Sequence, residues 1–322
     1  MTTPGHARRR PPRWYAPREG RALPCVLAAV LVGLGACSAP PDEASGDQAA
    51  PIIGGKPVPA GTLDGVLLLG PNCTGTKVGP RHVLTAAHCV TEPVYGGLLA
   101  GFRRGDALPA RSTGRGKAVV ATVEATHVSP SWTTACAESF YVSSEITTRL
   151  DAADVALVVT TRVLEGLPVI PLDLGPVAAG ERVELAGYGC TTGALVDNGD
   201  VPPILRSGTA TTVSSRALEH DGGPAADPTI VAGSYVLTEG PAGATRGAGN
   251  CPGDSGGPLL RKRGADRAVV GVHANYTFLS PEVDPLGRPV TSWHTRVDLA
   301  SRHGVGGWLK GLGVQVLTTK RH

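Results

Sequence analysis

The chain has 322 residues, 41% hydrophobic and 18% charged, which is typical of a globular protein rather than a disordered one. Its formal net charge of +3 arises at the N-terminal end, where residues 1–36 hold six of the 30 basic and one of the 27 acidic residues. The remaining residues carry a balance of −2 with no basic stripe, so we expect no nucleic-acid partner.

The first element in chain order is the apolar segment "ALPCVLAAVLVGLGAC" (22–37), which follows the arginine-rich start. It is too short for an ordinary membrane span, and its basic flank predicts a signal peptide over 1–36. Its end, Leu34 to Cys37, resembles the bacterial lipobox, in which the cysteine is lipidated; the alternative is a conventional signal peptide. We therefore expect an exported protein, either anchored to a membrane through Cys37 or secreted, with 37–51 as a polar tether or propeptide.

From residue 52 onward, short β-rich runs alternate with Gly, Pro, Asn and Asp. This pattern, in a chain with 44 glycines and 28 prolines, predicts one all-β sandwich or barrel domain over 52–322. A short helix is expected within 297–312 near the C-terminal end. The predicted strands lie in 65–70, 118–128, 154–163, 181–189, 229–238 and 268–278.

Five of the seven cysteines lie in this predicted domain, at positions 73, 89, 136, 190 and 251. An exported protein matures in an oxidising compartment, which permits disulfides among them. Because five is an odd number, at least one of these cysteines has no partner within the set.

The segment "NCPGDSGGPLL" (250–260) places one hydroxyl, that of Ser255, among residues with little side-chain bulk. Serine chemistry needs a general base within hydrogen-bond reach and a group that orients the base. His88 in "LTAAHCV" is the candidate base, although a lone histidine beside an apolar run is more often a core residue. Asp154 is the candidate orienting acid because it leads into the apolar run "DVALVV", whereas Asp151 is more typical of a solvated loop.

Together these segments resemble the trypsin-like (chymotrypsin-fold) serine peptidases, in the manner of a bacterial exported member. The matching motifs occur in the family's order, and the resemblance covers about residues 52 to 312. They are "IIGG" (52–55) for the mature N-terminus, "LTAAHC" (84–89) for the histidine, "DVAL" (154–157) for the aspartate, "GYG" (187–189) for the turn between barrels and "GDSGGP" (253–258) for the nucleophile.

The resemblance implies an all-β fold of two packed antiparallel barrels with the active site between them. It implies that His88 is the general base, that Asp154 orients it and that Ser255 is the nucleophile. The backbone N–H groups of Gly253 and Ser255 would form the oxyanion hole. The implied partners are protein or peptide substrates, and neither a cofactor nor a metal is expected.

The resemblance also implies disulfide pairing. Cys73 and Cys89 would be bridged across the histidine loop. Cys190 lies just past "GYG", in a loop that the family packs near the nucleophile segment, so we expect a Cys190–Cys251 bridge and an unpaired Cys136.

Three departures from the family pattern concern pairing and specificity. Val183 and Arg261 occupy the positions of one family disulfide, so both of its partners are absent together. Gly249, six residues before Ser255, stands at the pocket floor, where cleavage after Arg or Lys requires an acid. Ala274-Asn275-Tyr276 replaces the family's "SWG" pocket wall, and Tyr276 is expected to narrow the pocket or to alter pairing with the substrate backbone.

The activation site departs as well. In the family, cleavage frees an isoleucine amine, here that of Ile52, which pairs with the acid before the nucleophile, here Asp254. Pro51 precedes Ile52, so an activator of trypsin specificity does not cut there. Either another protease trims the tether or the pairing does not form.

The leading hypothesis is an exported serine endopeptidase, made as a zymogen and not specific for Arg or Lys, that works through an acyl-enzyme. The alternative is a catalytically silent family member that binds proteins at the cell surface, which Tyr276 and the unusual activation site favour. A third reading is an esterase-like hydrolase on the same fold, because the same machinery cleaves esters.

Overall fold

The computed structural model describes residues 52, 54–92, 97–112, 117–132, 151–189, 204–215, 228–239, 248–264, 266–278 and 290–317. All of them lie in the compact unit Asp47–His322, and the other unit, Met1–Gly46, lies outside the described residues. The predicted signal peptide, Cys37, the tether of 37–51, Cys136 and Cys190 also lie outside them. Within the described ranges, no helix has the length and apolar character needed to cross a membrane.

The strands and helices follow one another in this order. The strands are β1 (Lys56–Pro57), β2 (Val66–Leu69), β3 (Cys73–Gly79), β4 (His82–Thr85), β5 (Ala110–Ser112), β6 (Lys117–Val119), β7 (Val123–Val128), β8 (Ala156–Thr160), β9 (Arg182–Gly187), β10 (Arg206–Val213), β11 (Tyr235–Glu239), β12 (Pro258–Arg263), β13 (Asp266–Phe278) and β14 (Val290–Arg296). A 3-10 turn spans Ala87–Cys89, and the helices are α1 (Pro228–Ser234) and α2 (Val305–Gly311).

The strands form two antiparallel sheets, one closed and one open. In the second sheet the order is β1-β10-β11-β14-β13-β12-β9, and β9 also pairs with β10, so six strands close into a barrel. In the first sheet the order is β6-β5-β2-β3-β4-β8-β7, and no ladder between its described strands closes it, although an isolated bridge joins Ala107 to Thr122; we call this sheet the half-barrel. The predicted chymotrypsin-like architecture is confirmed, with the first barrel closed only in part.

The half-barrel encloses a core of aliphatic side chains. Every residue of β2 and of β8 is buried, so neither strand shows the alternation of buried and exposed residues that a half-exposed strand has. The hydroxyl of Tyr188, just after β9, donates to the carbonyl of Val66 in β2 at 3.0 Å and joins the two sheets. Among the predicted catalytic residues, His88 follows β4, Asp154 precedes β8 and Ser255 precedes β12.

One predicted element is wrong in part. The segment 229–238 was expected to be a strand, but helix α1 spans Pro228–Ser234 and only Tyr235 onward is extended. Proline is well suited to the first position of a helix. Val231 is fully buried in a cluster with Tyr235, Leu237 and Trp293, so tertiary packing overrides the local preference of β-branched residues for a strand. The short helix expected within 297–312 is α2, and that prediction is confirmed.

An ionic network occupies the place of the absent family disulfide. The guanidinium of Arg261 in β12 donates to Asp173 at 2.9 Å and to Glu181 at 2.8 Å. The hydrogen bonds from Arg261 hold the pKa of Glu181 below its usual value, and those from Arg261 and Arg263 outweigh burial to do the same for Asp173. Hydrogen bonds and ion pairs therefore join β12 to the segments of Asp173 and Glu181, where the family pattern would have a disulfide.

Candidate active site

His88 lies in the 3-10 turn that follows β4. The predicted disulfide between Cys73 and Cys89 is present, with Cα atoms 6.1 Å apart, and it ties this turn to the start of β3. Cys73, His88 and Cys89 also form a group of potential metal ligands. Metals bind thiolates, and sulfurs in a disulfide are not thiolates, so this group does not fit a metal.

Asp154 reaches His88 with both carboxylate oxygens. The Nδ1 atom of His88 lies 2.6 Å from Oδ2 of Asp154, and the backbone N–H of His88 donates to Oδ1 at 3.0 Å. Asp154 is 4% exposed, and its carbonyl accepts a hydrogen bond from the hydroxyl of Thr295 at 3.0 Å. A carboxylate at Nδ1 favours the tautomer in which Nδ1 carries the proton and Nε2, across the ring, accepts one.

The other acid of this loop has a different role. Asp151 is paired with Arg302 at 2.7 Å and with His303 at 3.2 Å, and more than a third of its side chain is exposed. The hydroxyl of Tyr235 donates to the carbonyl of Ala152 at 2.9 Å and anchors the loop between the two acids. Of the two candidate acids, the structure therefore brings Asp154 to the histidine.

The serine segment lies against the histidine turn. The carbonyl of Ser255 is 3.6 Å from Sγ of Cys89, the residue after His88. Gly253 has φ +98°, and a Cβ there would lie 2.8 Å from the Cα of Gly189. Only glycine adopts this backbone conformation without strain at such a close approach, which explains why the segment has so little side-chain bulk.

The backbone N–H groups of this segment alternate between bonded and free. The N–H of Asp254 donates to the carbonyl of Cys251 at 3.0 Å. The N–H of Gly256 donates to the carbonyl of His273 at 2.8 Å, and the N–H of Gly257 donates to the carbonyl of Asp254 at 2.8 Å. In the hydrogen bonds of the described residues, the N–H groups of Gly253 and Ser255 have no acceptor. They are the two donors that the sequence assigns to an oxyanion hole.

Asp254, the acid before the nucleophile, is fully buried. Its carboxylate accepts the N–H groups of Gly189 at 2.8 Å and Cys251 at 2.9 Å, and among the described residues it has no cationic partner. Burial raises the pKa of Asp254 to about 7, although the two N–H donors act in the opposite direction. Ile52 is also fully buried, in a cluster with side chains of β9 and β12. Pairing of its amine with Asp254 stays a prediction.

Cys251 is disulfide-bonded, and its partner lies outside the described residues. Gly189 and Cys251 bind the two oxygens of one carboxylate, so the chain just before Cys190 runs close to Cys251. The expected Cys190–Cys251 pair stays a prediction.

Gly249 lies in a buried segment. Gly249 and Asn250 are buried, and the N–H of Asn250 donates to the hydroxyl of Ser292 at 3.0 Å. Two residues after Ser292 in β14, His294 faces His273 of β13, and their ring centroids are 5.5 Å apart. Burial lowers the pKa of His294 to about 3 and that of His273 well below its usual value, so both rings are neutral.

Sequence reasoning missed these two histidines. The available signal was a histidine inside an otherwise apolar strand, "AVVGVHANYTF", directly before the expected pocket wall. Of that wall, Ala274 packs against the cluster of Tyr235 and Trp293, and the backbone of Tyr276 pairs with Ser292.

One comparison with known proteins identifies a family. The trypsin family model matches residues 52–277, which include every motif from "IIGG" to the nucleophile segment. The match ends before β14 and α2, which complete the closed barrel and the C-terminal end of the described fold. No curated protein matches the chain significantly. Because the match covers well over half of the sequence and the fold has the expected two sheets, the chain belongs to the trypsin family of serine peptidases.

Proposed function

We propose that the chain is an exported serine endopeptidase that hydrolyses peptide bonds with His88, Asp154 and Ser255. The observation that carries the proposal is the double contact between His88 and Asp154 beside a serine segment with two free N–H donors. This arrangement combines a base in the required tautomer, a nucleophile and a site for negative charge.

The reaction proceeds in two halves. Nε2 of His88 takes the proton of Ser255 as Oγ attacks the scissile carbonyl, and the N–H groups of Gly253 and Ser255 bind the oxygen that becomes negative. Asp154 stabilises the imidazolium, which then protonates the leaving amine and leaves an acyl-enzyme. A water molecule, deprotonated by the same imidazole, hydrolyses the ester and restores Ser255.

The glycine at position 249, where specificity for Arg or Lys would require an acid, supports a preference for uncharged side chains before the scissile bond. Gly249 itself offers no carboxylate to an Arg or Lys side chain, and an unpaired buried charge is strongly disfavoured. A peptide-library cleavage profile tests this, and a profile dominated by Arg and Lys would contradict it.

Export and membrane attachment are further parts of the proposal. They rest on the signal-like segment at 22–37 and on the lipobox-like sequence that ends at Cys37. Cleavage after Pro51 would then free the Ile52 amine and release the domain from the lipid in one event. Fractionation of cells with N-terminal sequencing of the membrane and soluble forms tests this order, and an active membrane form with an intact 51–52 bond would contradict it.

A fluorophosphonate probe tests the central claim because it reacts only with an activated serine. We expect labelling of the wild type and none of Ser255→Ala or His88→Ala, with circular dichroism showing that both variants are folded. A folded wild type that is not labelled in either the intact or the cleaved form would favour the silent binding protein instead. Hydrolysis unchanged in Ser255→Ala would remove Ser255 from the mechanism.

A further inference from the structure

Thr74 joins the two sheets at the active site. It follows Cys73 in β3, and its side chain is fully buried. Its hydroxyl donates to the carbonyl of Gly253 at 3.0 Å and accepts the N–H of Tyr188 at 3.2 Å. This hydroxyl of the half-barrel thus donates one hydrogen bond to the closed barrel and accepts another from it.

The backbone of Thr74 adds two more contacts to the same region. Its N–H donates to the carbonyl of Ser255 at 2.7 Å, and its carbonyl accepts the hydroxyl of Thr85, in the strand before the histidine turn, at 2.8 Å. Thr74 therefore binds the carbonyls of two alternate residues, Gly253 and Ser255, whose own N–H groups are the free donors described above.

The order of the peptide planes shows what this anchoring does. The plane between Gly253 and Asp254 is fixed at both ends, because its carbonyl binds Thr74 and its N–H donates to Cys251. The plane between Ser255 and Gly256 is fixed in the same way, by Thr74 and by His273. The free N–H of Ser255 lies in the plane between these two, and that of Gly253 lies in the preceding plane, across a residue with φ +98°.

Of these anchors, the hydroxyl of Thr74 is the one that a side-chain change removes. Glycine at 253 rotates more freely than any other residue type, so the direction of its N–H depends on contacts that hold the adjacent plane. A donor that stabilises an oxyanion acts fully only when it is already aimed at the oxygen.

We infer that the Thr74 hydroxyl is a positioning group for the oxyanion hole, holding the Gly253 carbonyl so that the N–H groups of Gly253 and Ser255 point to one place. The inference rests on the proposed function, because it concerns the same reaction. Its effect falls on the transition state, where the negative oxygen forms, and not on substrate binding.

The test compares three variants with the wild type. Thr74→Val keeps the shape of the side chain and removes the hydroxyl, whereas Thr74→Ser keeps the hydroxyl. Thr76→Val is the matched control, because Thr76 is buried in the same strand and its hydroxyl has no hydrogen-bond partner among the described residues. We measure kcat and KM on a peptide substrate, and the affinity for a peptide aldehyde of the same sequence, whose hemiacetal oxygen occupies the oxyanion hole.

We expect Thr74→Val to lower kcat by about tenfold to a hundredfold with little change in KM, and to weaken aldehyde binding in parallel. Thr74→Ser should restore most of kcat, and Thr76→Val should leave it unchanged. If Thr74→Val does not fold, Thr74→Ala removes the same hydroxyl with less bulk and is assayed in its place.

Two results would overturn the inference, and they are distinguishable. Wild-type kcat and aldehyde affinity in the folded variant without the hydroxyl, or an equal loss in Thr74→Ser, would refute the role of Thr74 while Ser255 is still labelled. A wild type that no fluorophosphonate labels would refute the proposed function itself, and with it any oxyanion for Thr74 to serve.

Discussion

The half-barrel and the closed barrel each hold one buried aspartate of the site, and the two carboxylates are satisfied differently. Asp154, beside the half-barrel, receives two hydrogen bonds from His88, whose ring gains a positive charge during the reaction. Asp254, in the closed barrel, receives two backbone N–H groups and has no cation among the described residues. The pairing of His88 with Asp154 is thus formed, whereas Asp254 has no counter-charge among the residues that the structure describes.

This difference assigns separate tasks to the two regions. In the half-barrel, apolar packing and one disulfide hold the turn of His88, while hydroxyls of the closed barrel, those of Thr295 and Tyr235, hold the loop of Asp154. The closed barrel presents the nucleophile on a loop whose conformation depends on polar contacts, including those of Asp254 and Thr74. Control of activity by proteolysis would therefore act on the closed barrel.

The largest effect is expected at Asp154. Asp154→Asn keeps the size of the side chain but favours the wrong histidine tautomer, and the equivalent substitution in the triad of this family lowers kcat by about 10⁴-fold. Asp151→Asn is the matched control, because Asp151 lies in the same loop but pairs with Arg302 and not with His88. We expect that control to leave kcat near the wild-type value. Similar losses in both variants, measured as kcat on a peptide ester, would show that the loop and not the carboxylate matters.

The second effect is the change of the unfolding free energy with pH that Asp254 causes. Its pKa is about 7 in the folded chain, against 3.8 for an unperturbed carboxyl, so between these values the folded state binds a proton that the unfolded state has lost. Burial of Asp254 therefore lowers the unfolding free energy as pH rises through this window, by up to about 1.4 kcal/mol per pH unit. His273 and His294, whose pKa values are lowered by burial, act in the opposite direction.

The measurement must isolate Asp254 from the histidines, so it compares Asp254→Asn with the wild type in urea unfolding between pH 4 and 8. We expect the stability advantage of Asp254→Asn to grow across that window in the intact chain. In the form that begins at Ile52, a free amine would pair with Asp254, lower its pKa and remove the trend. The same trend in both forms would show that the amine does not reach Asp254.

The sequence located the candidate residues of this site better than the contacts that support them. Short motifs located His88, Asp154 and Gly253, because each role demands one residue type in one local setting. Thr74, His273 and His294 were missed, because their roles arise from contacts between residues far apart in the chain. Helix α1 was missed for a similar reason, since burial of Val231 outweighs the strand preference of its neighbours.

The smallest expected effects are on the unfolding free energy, and they compare the disulfide of the half-barrel with the ionic network of the closed barrel. The disulfide Cys73–Cys89 closes a loop with a sequence separation of 16. Loss of such a loop closure, in the double variant Cys73→Ser/Cys89→Ser, should lower the unfolding free energy by about 3 kcal/mol at 25 °C. Arg261→Met should have a smaller effect of about 1–3 kcal/mol, because Glu181 remains partly exposed and water replaces part of the ion pair.

Salt separates the two mechanisms. Screening weakens the contacts of Arg261 with Asp173 and Glu181 but not a covalent bond. We therefore expect the loss from Arg261→Met to shrink between low and high ionic strength, while the loss from the double cysteine variant stays constant. Lys262→Met, a neighbouring change at a half-exposed side chain that pairs with Glu184 at 3.4 Å, is the control and should cost about 0–1 kcal/mol. If the loss from Arg261→Met equals that of this control, the ionic network does not take the structural place of the absent disulfide, and packing alone holds that edge of the closed barrel.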